Sequence, residues 1–210
     1  TEEIINKLLS IRSKRKKPFF DNKNQLDLNC LWVTSLISLH SIIPNSNYLE
    51  NAEKFYERIE KKFCTSNIYH SYSKNISFLE DYAYLIQCLL DLSDSTMNTK
   101  YRLLAKKYCD EVIEKFYDTD RKIFQKNEKN KNDIFMSPID ISDSTISNGN
   151  SVMLMNFSRL GRIEQANELS NSLNGYLNIY KNFMISSLKA LDFFTEIKRG
   201  KNCNLDGCKI

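Results

Sequence analysis

The chain has 210 residues, of which 41% are hydrophobic and 27% charged, and its formal net charge is +4. A chain of this length and composition can bury the core of one globular domain. Its only basic cluster, residues 12–17, lacks the interleaved aromatic residues of a nucleic-acid surface. No apolar run reaches the roughly 20 residues that span a bilayer, and the first residues show no secretory leader. We therefore expect a cytoplasmic protein without nucleic-acid or membrane partners.

Apolar residues recur at helical spacing over most of the chain, and Pro18 follows the first such segment and ends it. The pattern predicts helices near residues 2–13, 26–42, 47–64, 79–93, 99–117, 149–160, 162–175 and 178–194. The short connections between them predict that successive helices form hairpins.

The long connection 118–147 and the end of the chain read differently. Two apolar pairs, Ile123-Phe124 and Ile134-Phe135, flank a polar stretch of the connection and predict a short β-hairpin. No periodicity follows Glu196. We therefore expect one helical domain over residues 1–195 and an irregular tail over residues 196–210.

Two kinds of helix alternate along the chain. The segments 51–63 and 100–116 mix charged and apolar residues, which gives each one buried stripe and one solvated face. The segments 31–39, 78–86 and 152–160 are apolar on nearly every side and must be covered by other helices. This alternation predicts an inner and an outer layer of helices, as in an all-α (α/α) toroid or solenoid.

The cysteines show no pattern of a metal or redox site. Four of them lie within helical patterns, where a free thiol behaves as a small apolar residue, and we expect them to be reduced: Cys30, Cys64, Cys88 and Cys109. A zinc site at Cys203 and Cys208 would lack two ligands, because His40 and His70 stand alone in other segments. We expect neither a metal nor a cofactor.

Five segments match, in order, the motifs of one known family. They are Leu9 to Lys23, Leu28 to Leu31, Phe78 to Ile86, Phe116 to Asp118, and Asp143 to Ser151. Together they resemble the spermatogenesis-associated protein 20 family, also called thioredoxin domain-containing YyaL-like proteins. The third segment is similar to the family's Phe-Leu-x-Asp-Tyr-Ala-x-Leu-Ile, and the fifth to its Asp-x-Ala-x-Pro-Ser-Gly-Asn-Ser.

The resemblance implies the later part of a six-hairpin (α/α) toroid, similar to the N-acylglucosamine 2-epimerases and related sugar-acting enzymes. In the family, a thioredoxin-like domain precedes this toroid. This sequence has no Cys-x-x-Cys and no His-Phe-Glu-Lys-Met motif of the first toroid half. Within the matched part, Leu28, Cys30 and Asn22 replace the family's Trp, Gly and Asp.

The strongest matches to the family are polar residues near the starts of the apolar helices, which face the central funnel of a toroid. They are Asp21, Lys23, Asn29, Asp81, Tyr82, Asp143, Asn150 and Ser151. One interpretation is that Asp81 and Asp143 form a carboxylate pair for acid–base chemistry on a sugar, while the other six bind the ligand. The alternative is that the polar residues cap helices and that Tyr82 belongs to the core.

Two functions remain open. The missing motifs favour a non-catalytic or partner-dependent fragment, which pairs with a separately encoded first half or with itself through the apolar flanks of an incomplete ring. The alternative is a carbohydrate-active or carbohydrate-binding toroid that uses the funnel carboxylates in an epimerase- or glycosidase-like reaction. We expect no turnover by the isolated chain.

Overall fold

The structure is a computed structural model that describes residues 2–44, 46–72, 76–129 and 138–200, and the backbone of 203–204 and 207–208. This part of the chain contains eight α-helices and two antiparallel hairpins of two strands. The helices are α1 (Glu2–Ser13), α2 (Leu26–Ile42), α3 (Tyr48–Phe63), α4 (Leu79–Thr96), α5 (Thr99–Phe116), α6 (Gly149–Leu160), α7 (Ile163–Tyr180) and α8 (Ile185–Lys198). The strands are β1 (Tyr117–Asp118), β2 (Ile123–Phe124), β3 (Cys203–Asn204) and β4 (Gly207–Cys208).

The helices form the two predicted layers. Helices α2, α4, α6 and α8 pack side by side as an inner layer, and α3, α5 and α7 pack against α2, α4 and α6 from outside. Twelve of the 18 residues of α4 are buried. In contrast, α3 buries a single stripe, which is one face of a helix: Ala52, Tyr56, Ile59 and Phe63. The all-α class and the arrangement of the helices in two layers are confirmed.

Helix α1 differs from the other helices because none of its residues is buried. Its apolar side chains Ile4, Ile5, Leu8 and Leu9 are 51–65% exposed. Helix α1 precedes the inner helix α2, just as the outer helices α3 and α5 precede α4 and α6. It therefore occupies the chain position of an outer helix, and no inner partner for it lies among the described residues.

A β-hairpin forms at the start of the long connection, and one of the two predicted apolar pairs is its second strand. Strand β2 is the predicted pair Ile123–Phe124, and it pairs with Tyr117–Asp118 directly after α5. The Asp118 carboxylate accepts hydrogen bonds from two N–H groups of the turn, and Lys122 adopts a left-handed φ of 55°. This short turn closes the hairpin at little entropic cost. The other predicted pair, Ile134-Phe135, lies outside the described residues.

The boundaries of the last two helices also differ from the prediction. Helix α7 continues through Gly175 to Tyr180, because a glycine weakens a packed helix without ending it. A 3₁₀ turn at Lys181–Phe183 then leads into α8, which ends at Lys198. The division into a domain and a tail stays a prediction, and residues 201, 202, 205, 206, 209 and 210 lie outside the described residues.

The four helical cysteines are free thiols, three of them buried and Cys64 half-buried. Burial raises the pKa of Cys64 and of Cys109 to about 12, so neither is a reactive thiolate near neutral pH. Among the described helices, none is long and apolar enough to cross a membrane.

Candidate functional site

A cleft of about 260 Å³ opens where the inner helices α2, α4 and α6 begin. Its walls carry the carboxylates of Asp27, Glu80 and Asp140, together with Lys126 and His70. Serine and threonine residues of the segment before α6 complete the wall. The starts of the inner helices thus meet at a polar, mainly acidic cleft.

Asp81, one of the two predicted catalytic residues, is fully buried behind this cleft. Its Oδ2 accepts a 2.9 Å hydrogen bond from the Phe78 N–H and caps α4, and its Oδ1 lies 2.9 Å from His70 Nδ1. Both carboxylate oxygens are therefore bound within the protein. These contacts are those of the capping alternative, while ligand contact by Asp81 stays a prediction.

His70 lines the cleft, and both neighbouring segments hold its backbone. Its carbonyl accepts a hydrogen bond from the Leu26 N–H at the start of α2, and its N–H donates to the Ile76 carbonyl. The ring packs edge-on against Phe78, with 5.0 Å between the ring centroids. These contacts place the imidazole between the first turns of α2 and α4.

Both ring nitrogens of His70 have hydrogen-bond partners. Gln25 Nε2 lies 2.9 Å from His70 Nε2 and donates to it in the orientation assigned to the amide, so Nδ1 carries the proton that is donated to Asp81. The hydrogen bond to Asp81 raises the pKa of His70. Asp81 thus sets the orientation of the ring at the cleft wall.

Asp27 and Glu80 are the acids that the cleft leaves without a strong partner. Asp27 is 8% exposed, and its Oδ1 accepts a 2.8 Å hydrogen bond from the Leu28 N–H. Burial raises the pKa of Asp27, and the nearby charge of Asp81 raises it further. Burial also raises the pKa of Glu80. The surroundings of Asp27 and Glu80 thus disfavour the ionised form of both carboxyl groups.

Asp140 belongs to a more exposed part of the cleft. Its Oδ2 lies 3.2 Å from Lys126 Nζ, and the two side chains are 35% and 41% exposed. A pair this exposed contributes at most about 1 kcal/mol to stability. A ligand could therefore replace the contact between Lys126 and Asp140 with little loss of stability.

Asp143, the other predicted catalytic residue, joins the segment before α6 to the start of α8. It accepts hydrogen bonds from the N–H groups of Asn148 (3.1 Å) and Ser186 (2.7 Å) and from the Ser186 hydroxyl. Burial alone would raise the pKa of Asp143, but these hydrogen bonds outweigh it and hold the pKa below its usual range. Asp143 and Asp81 share no hydrogen-bond partner among the described residues, and their action as a catalytic pair stays a prediction.

Asn150 and Ser151 are buried at the first turn of α6. The Asn150 amide exchanges two hydrogen bonds with the backbone of Phe124 and so fixes β2 against α6. The Ser151 hydroxyl donates to the Asn148 carbonyl at 2.8 Å and lies 2.7 Å from the Ser186 hydroxyl. Both residues support the segments that form the cleft without lining it. Ligand binding by Asn150 and Ser151 stays a prediction.

Tyr82 and Asn29 do not line the cleft. Tyr82 is fully buried, and its hydroxyl accepts a 2.8 Å hydrogen bond from Lys115 of the outer helix α5. Asn29 donates a 2.7 Å hydrogen bond to the Gln25 carbonyl within its own helix start. Tyr82 therefore packs in the core, as in the alternative interpretation, and ligand binding by Tyr82 and Asn29 stays a prediction.

Asp21 and Lys23 pair with each other on the exposed segment before α2. Lys23 Nζ lies 3.1 Å from Asp21 Oδ2, and the side chains are 68% and 54% exposed. The Lys23 N–H also donates to Asp21. The structure does not bring these two residues to the cleft, so their binding role stays a prediction.

A second polar group, centred on the buried Arg159, lies toward the other ends of the inner helices. Arg159, which is 3% exposed, contacts Asp91 at 2.7 Å and Asp94 at 2.9 Å. Arg102 donates to the Arg159 carbonyl at 2.7 Å and lies 3.7 Å from Asp94. We call Asp91, Asp94, Arg102 and Arg159 the arginine cluster. It joins α4, α5 and α6, and the sequence patterns did not reveal it.

Comparison with known proteins identifies the architecture. No family model matches the chain. Uncharacterized protein B0495.5 of Caenorhabditis elegans is 27% identical over 190 residues, which cover 82% of this chain and 25% of the worm protein. The cellobiose 2-epimerase of Spirochaeta thermophila superimposes with a TM-score of 0.66 at 12% identity, covering 87% of this chain and 56% of the epimerase.

The glycoside hydrolase family 76 mannosidase Bt3792 of Bacteroides thetaiotaomicron superimposes with a TM-score of 0.62 at 13% identity, covering 85% of this chain and 56% of the mannosidase. These likenesses show that the chain has the fold of a six-hairpin (α/α) toroid. The chain spans only about a quarter of the worm relative and 56% of each of these two structures. It is thus an arc of such a toroid.

Sequence reasoning missed the acids and the histidine that line the cleft. It selected Asp81 and Asp143, whereas the cleft walls carry Glu80 and Asp140. His70 is isolated in the sequence and reaches Asp81 only because the chain after α3 folds back onto the starts of α2 and α4. The separation of 11 residues between His70 and Asp81 matches no local sequence motif.

Proposed function

We propose that this chain is a sugar-binding arc of an (α/α) toroid and that it needs further helical hairpins to complete the ring. The polar cleft at the starts of three inner helices carries the proposal, since Asp27, Glu80 and Asp140 line it together with several hydroxyl groups.

The chemistry of the cleft fits a carbohydrate. A sugar presents neighbouring hydroxyl groups, and a carboxylate can accept hydrogen bonds from two of them at once. Lys126 adds a donor, and the Phe78 ring in the wall adds an apolar surface for the C–H face of a sugar. The volume of about 260 Å³ is just below the roughly 300–1,000 Å³ of sites for drug-sized ligands. It therefore suits one sugar ring.

The relatives in fold support the same ligand class. A cellobiose 2-epimerase and a mannosidase share this architecture, although identities of 12–13% carry no residue roles to this chain. The five ordered motifs support the further proposal that the chain belongs to the spermatogenesis-associated protein 20 family. In that case, the partner of this arc would be the thioredoxin-like domain with the first toroid half.

The exposed flanks of the arc support the need for completion. On α2, the side chains of Leu28, Trp32 and Leu39 are 40–54% exposed, and the first two lie four residues apart on one face. On α8 at the opposite edge, Ile185 and Leu188 are 57% and 46% exposed. A closed ring of hairpins would bury both edges, so we propose that complementary hairpins cover them.

Sugar binding can be tested directly on the 210-residue chain. We expect glucose, mannose, cellobiose or mannobiose to bind with a Kd on the order of 1 mM, measured by calorimetry or ligand-observed NMR. The Glu80→Gln variant should weaken binding at least several-fold. Glu57→Gln changes an exposed acid of the outer helix α3 and should have no effect. Absence of saturable binding to all four sugars would refute the proposal.

Completion of the ring has its own test. Light scattering over a concentration series should show association, and Trp32→Ser should reduce it. Leu103→Ser is the matched control, because Leu103 is 65% exposed on the outer helix α5. A strictly monomeric protein with epimerase or glycosidase turnover of its own would show that this arc is self-sufficient.

A further inference from the structure

We infer that Asp27, His70 and Asp81 form a binding site for a divalent cation, zinc by the chemistry of the donors. Each residue offers one ligand atom, and the three atoms lie within 4.8 Å of one another. Ligand atoms around a tetrahedral zinc are roughly 3.4 Å apart. Small side-chain movements would therefore bring the three donors into a coordination sphere.

The three donors come from three anchored segments. Asp27 lies in the first turn of α2, and Asp81 lies in the first turn of α4, where it caps the helix. His70 stands between them, with its backbone hydrogen-bonded to Leu26 and Ile76. A site whose ligands are held in this way loses little conformational entropy when the cation binds.

Asp27 supplies an independent sign of a ligand. Its side chain is more than nine-tenths buried and lines the cleft. Its Oδ1 accepts one hydrogen bond, whereas its Oδ2 has no hydrogen-bond partner in the described part of the chain. Because Oδ2 is open to the cleft rather than enclosed, it can bind a cation without losing a hydrogen bond within the protein.

The charges point in the same direction. Asp27 and Asp81 are both buried, and no lysine or arginine pairs with either of them among the residues that the structure describes. A divalent cation would compensate two carboxylates, whereas an imidazolium would compensate one. Imidazole nitrogen and carboxylate oxygen are both donor types that zinc accepts, and three protein ligands would leave a further coordination position for water or a ligand.

Besides small side-chain movements, coordination needs a change of tautomer at His70 and a turn of the Gln25 amide. The Nδ1 proton, now donated to Asp81, moves to Nε2, and Nδ1 becomes the ligand atom. The Nε2–H can then donate to the Gln25 side-chain oxygen after the amide turns by half a rotation. Asp81 keeps the hydrogen bond from Phe78 on Oδ2 and offers Oδ1 to the cation. Gln25 would thus be the outer partner that orients a metal-bound histidine.

Zinc calorimetry on the EDTA-treated 210-residue chain tests this inference. We expect one zinc ion per chain, an affinity loss of at least tenfold in Asp27→Asn, and a loss of about tenfold in Gln25→Ala. Asp140→Asn removes a neighbouring acid of the same cleft and should leave zinc affinity unchanged. Circular dichroism shows whether each variant is folded.

Cobalt substitution provides a measurement that needs no variant. The Co²⁺-loaded chain should show visible d–d bands without a thiolate charge-transfer band, since the proposed ligands are oxygen and nitrogen. No saturable zinc binding, unchanged affinity in folded Asp27→Asn, or a thiolate band from a cysteine site would each overturn the inference. Sugar binding that persists in EDTA alongside any of these results would leave the proposed function standing.

Discussion

The arginine cluster and the acidic cleft are two partly buried polar groups at opposite ends of the inner helices, and they differ in charge balance. The arginine cluster sets two guanidinium groups against the two carboxylates of Asp91 and Asp94. At the cleft, Asp27 and Asp81 face the single imidazole of His70. The cluster balances its own charges, although the Nε atoms of Arg102 and Arg159 are buried without a hydrogen-bond partner among the described residues. The cleft keeps an excess of acid.

The difference separates a structural role from a binding role. A buried ion network with matched charges has little to gain from a ligand, and removal of one member leaves its partners unpaired at high cost. A buried carboxylate without a positive partner destabilises the empty site. Binding of a ligand, a proton or a metal ion removes that destabilisation. We therefore expect substitutions to reduce stability in the arginine cluster and to alter binding in the cleft.

The largest effect should come from the arginine cluster. Arg159→Met removes the guanidinium that contacts Asp91 and Asp94 and should lower the free energy of unfolding by about 3–5 kcal/mol. Urea denaturation measures this loss. The control is Arg162→Met, because Arg162 pairs with the 67% exposed Asp110 and should cost less than about 1 kcal/mol. Equal losses in the two variants would contradict the assignment of the cluster as structural.

Asp143 should behave like the arginine cluster rather than like the cleft. Asp143→Ala leaves the N–H groups of Asn148 and Ser186 without their acceptor and should cost about 1–3 kcal/mol of unfolding free energy. The same denaturation experiment measures it. A loss of sugar binding with unchanged stability would instead return Asp143 to the predicted catalytic pair.

The pH dependence of stability sharpens this assignment. Because the folded pKa of Asp143 is depressed, its stabilisation is fully present above the unfolded value of about 3.9 and is lost as the pH falls through the folded pKa. Denaturation of the wild type and of Asp143→Asn between pH 7 and pH 2.5 should show the difference shrinking in acid. A difference that is constant over this range would show that the carboxylate charge has no role.

The smallest effect on stability is expected at Asp27. Its pKa is raised by burial and by Asp81, so its charge disfavours the folded state at neutral pH. Asp27→Asn should leave the melting temperature unchanged or slightly higher while it weakens zinc binding. A marked drop in melting temperature would show that Asp27 has a structural role.

The helical layers could be predicted from the sequence because their signal is local. The apolar and amphipathic segments differ in which side chains recur every three or four residues, and that pattern decides which helix must be covered. Accordingly, the sequence pattern predicted that α4 lies in the inner layer and α3 in the outer layer. The hairpin was found in part, since β2 was predicted and its partner strand was missed.

The residues of the site were predicted less well than the helices that hold them. Polar residues at helix starts indicated the end of the inner layer where the cleft lies. However, a helix start contains several such residues, and one position of difference changes the direction of a side chain by about 100°. Glu80 faces the cleft, and Asp81 points into the protein. No local pattern distinguishes these two neighbours.

The sequence by itself determined the class of fold, the order of the helices and the end of the inner layer where polar groups collect, because each depends on residues close together in the chain. The tertiary structure decided which acids line the cleft, that His70 joins Asp27 and Asp81, and that Arg159 joins Asp91 and Asp94. These groups meet across 11 to 68 residues of sequence. Side chains so far apart come within hydrogen-bonding distance only after the helices have packed, so no spacing rule could have revealed them.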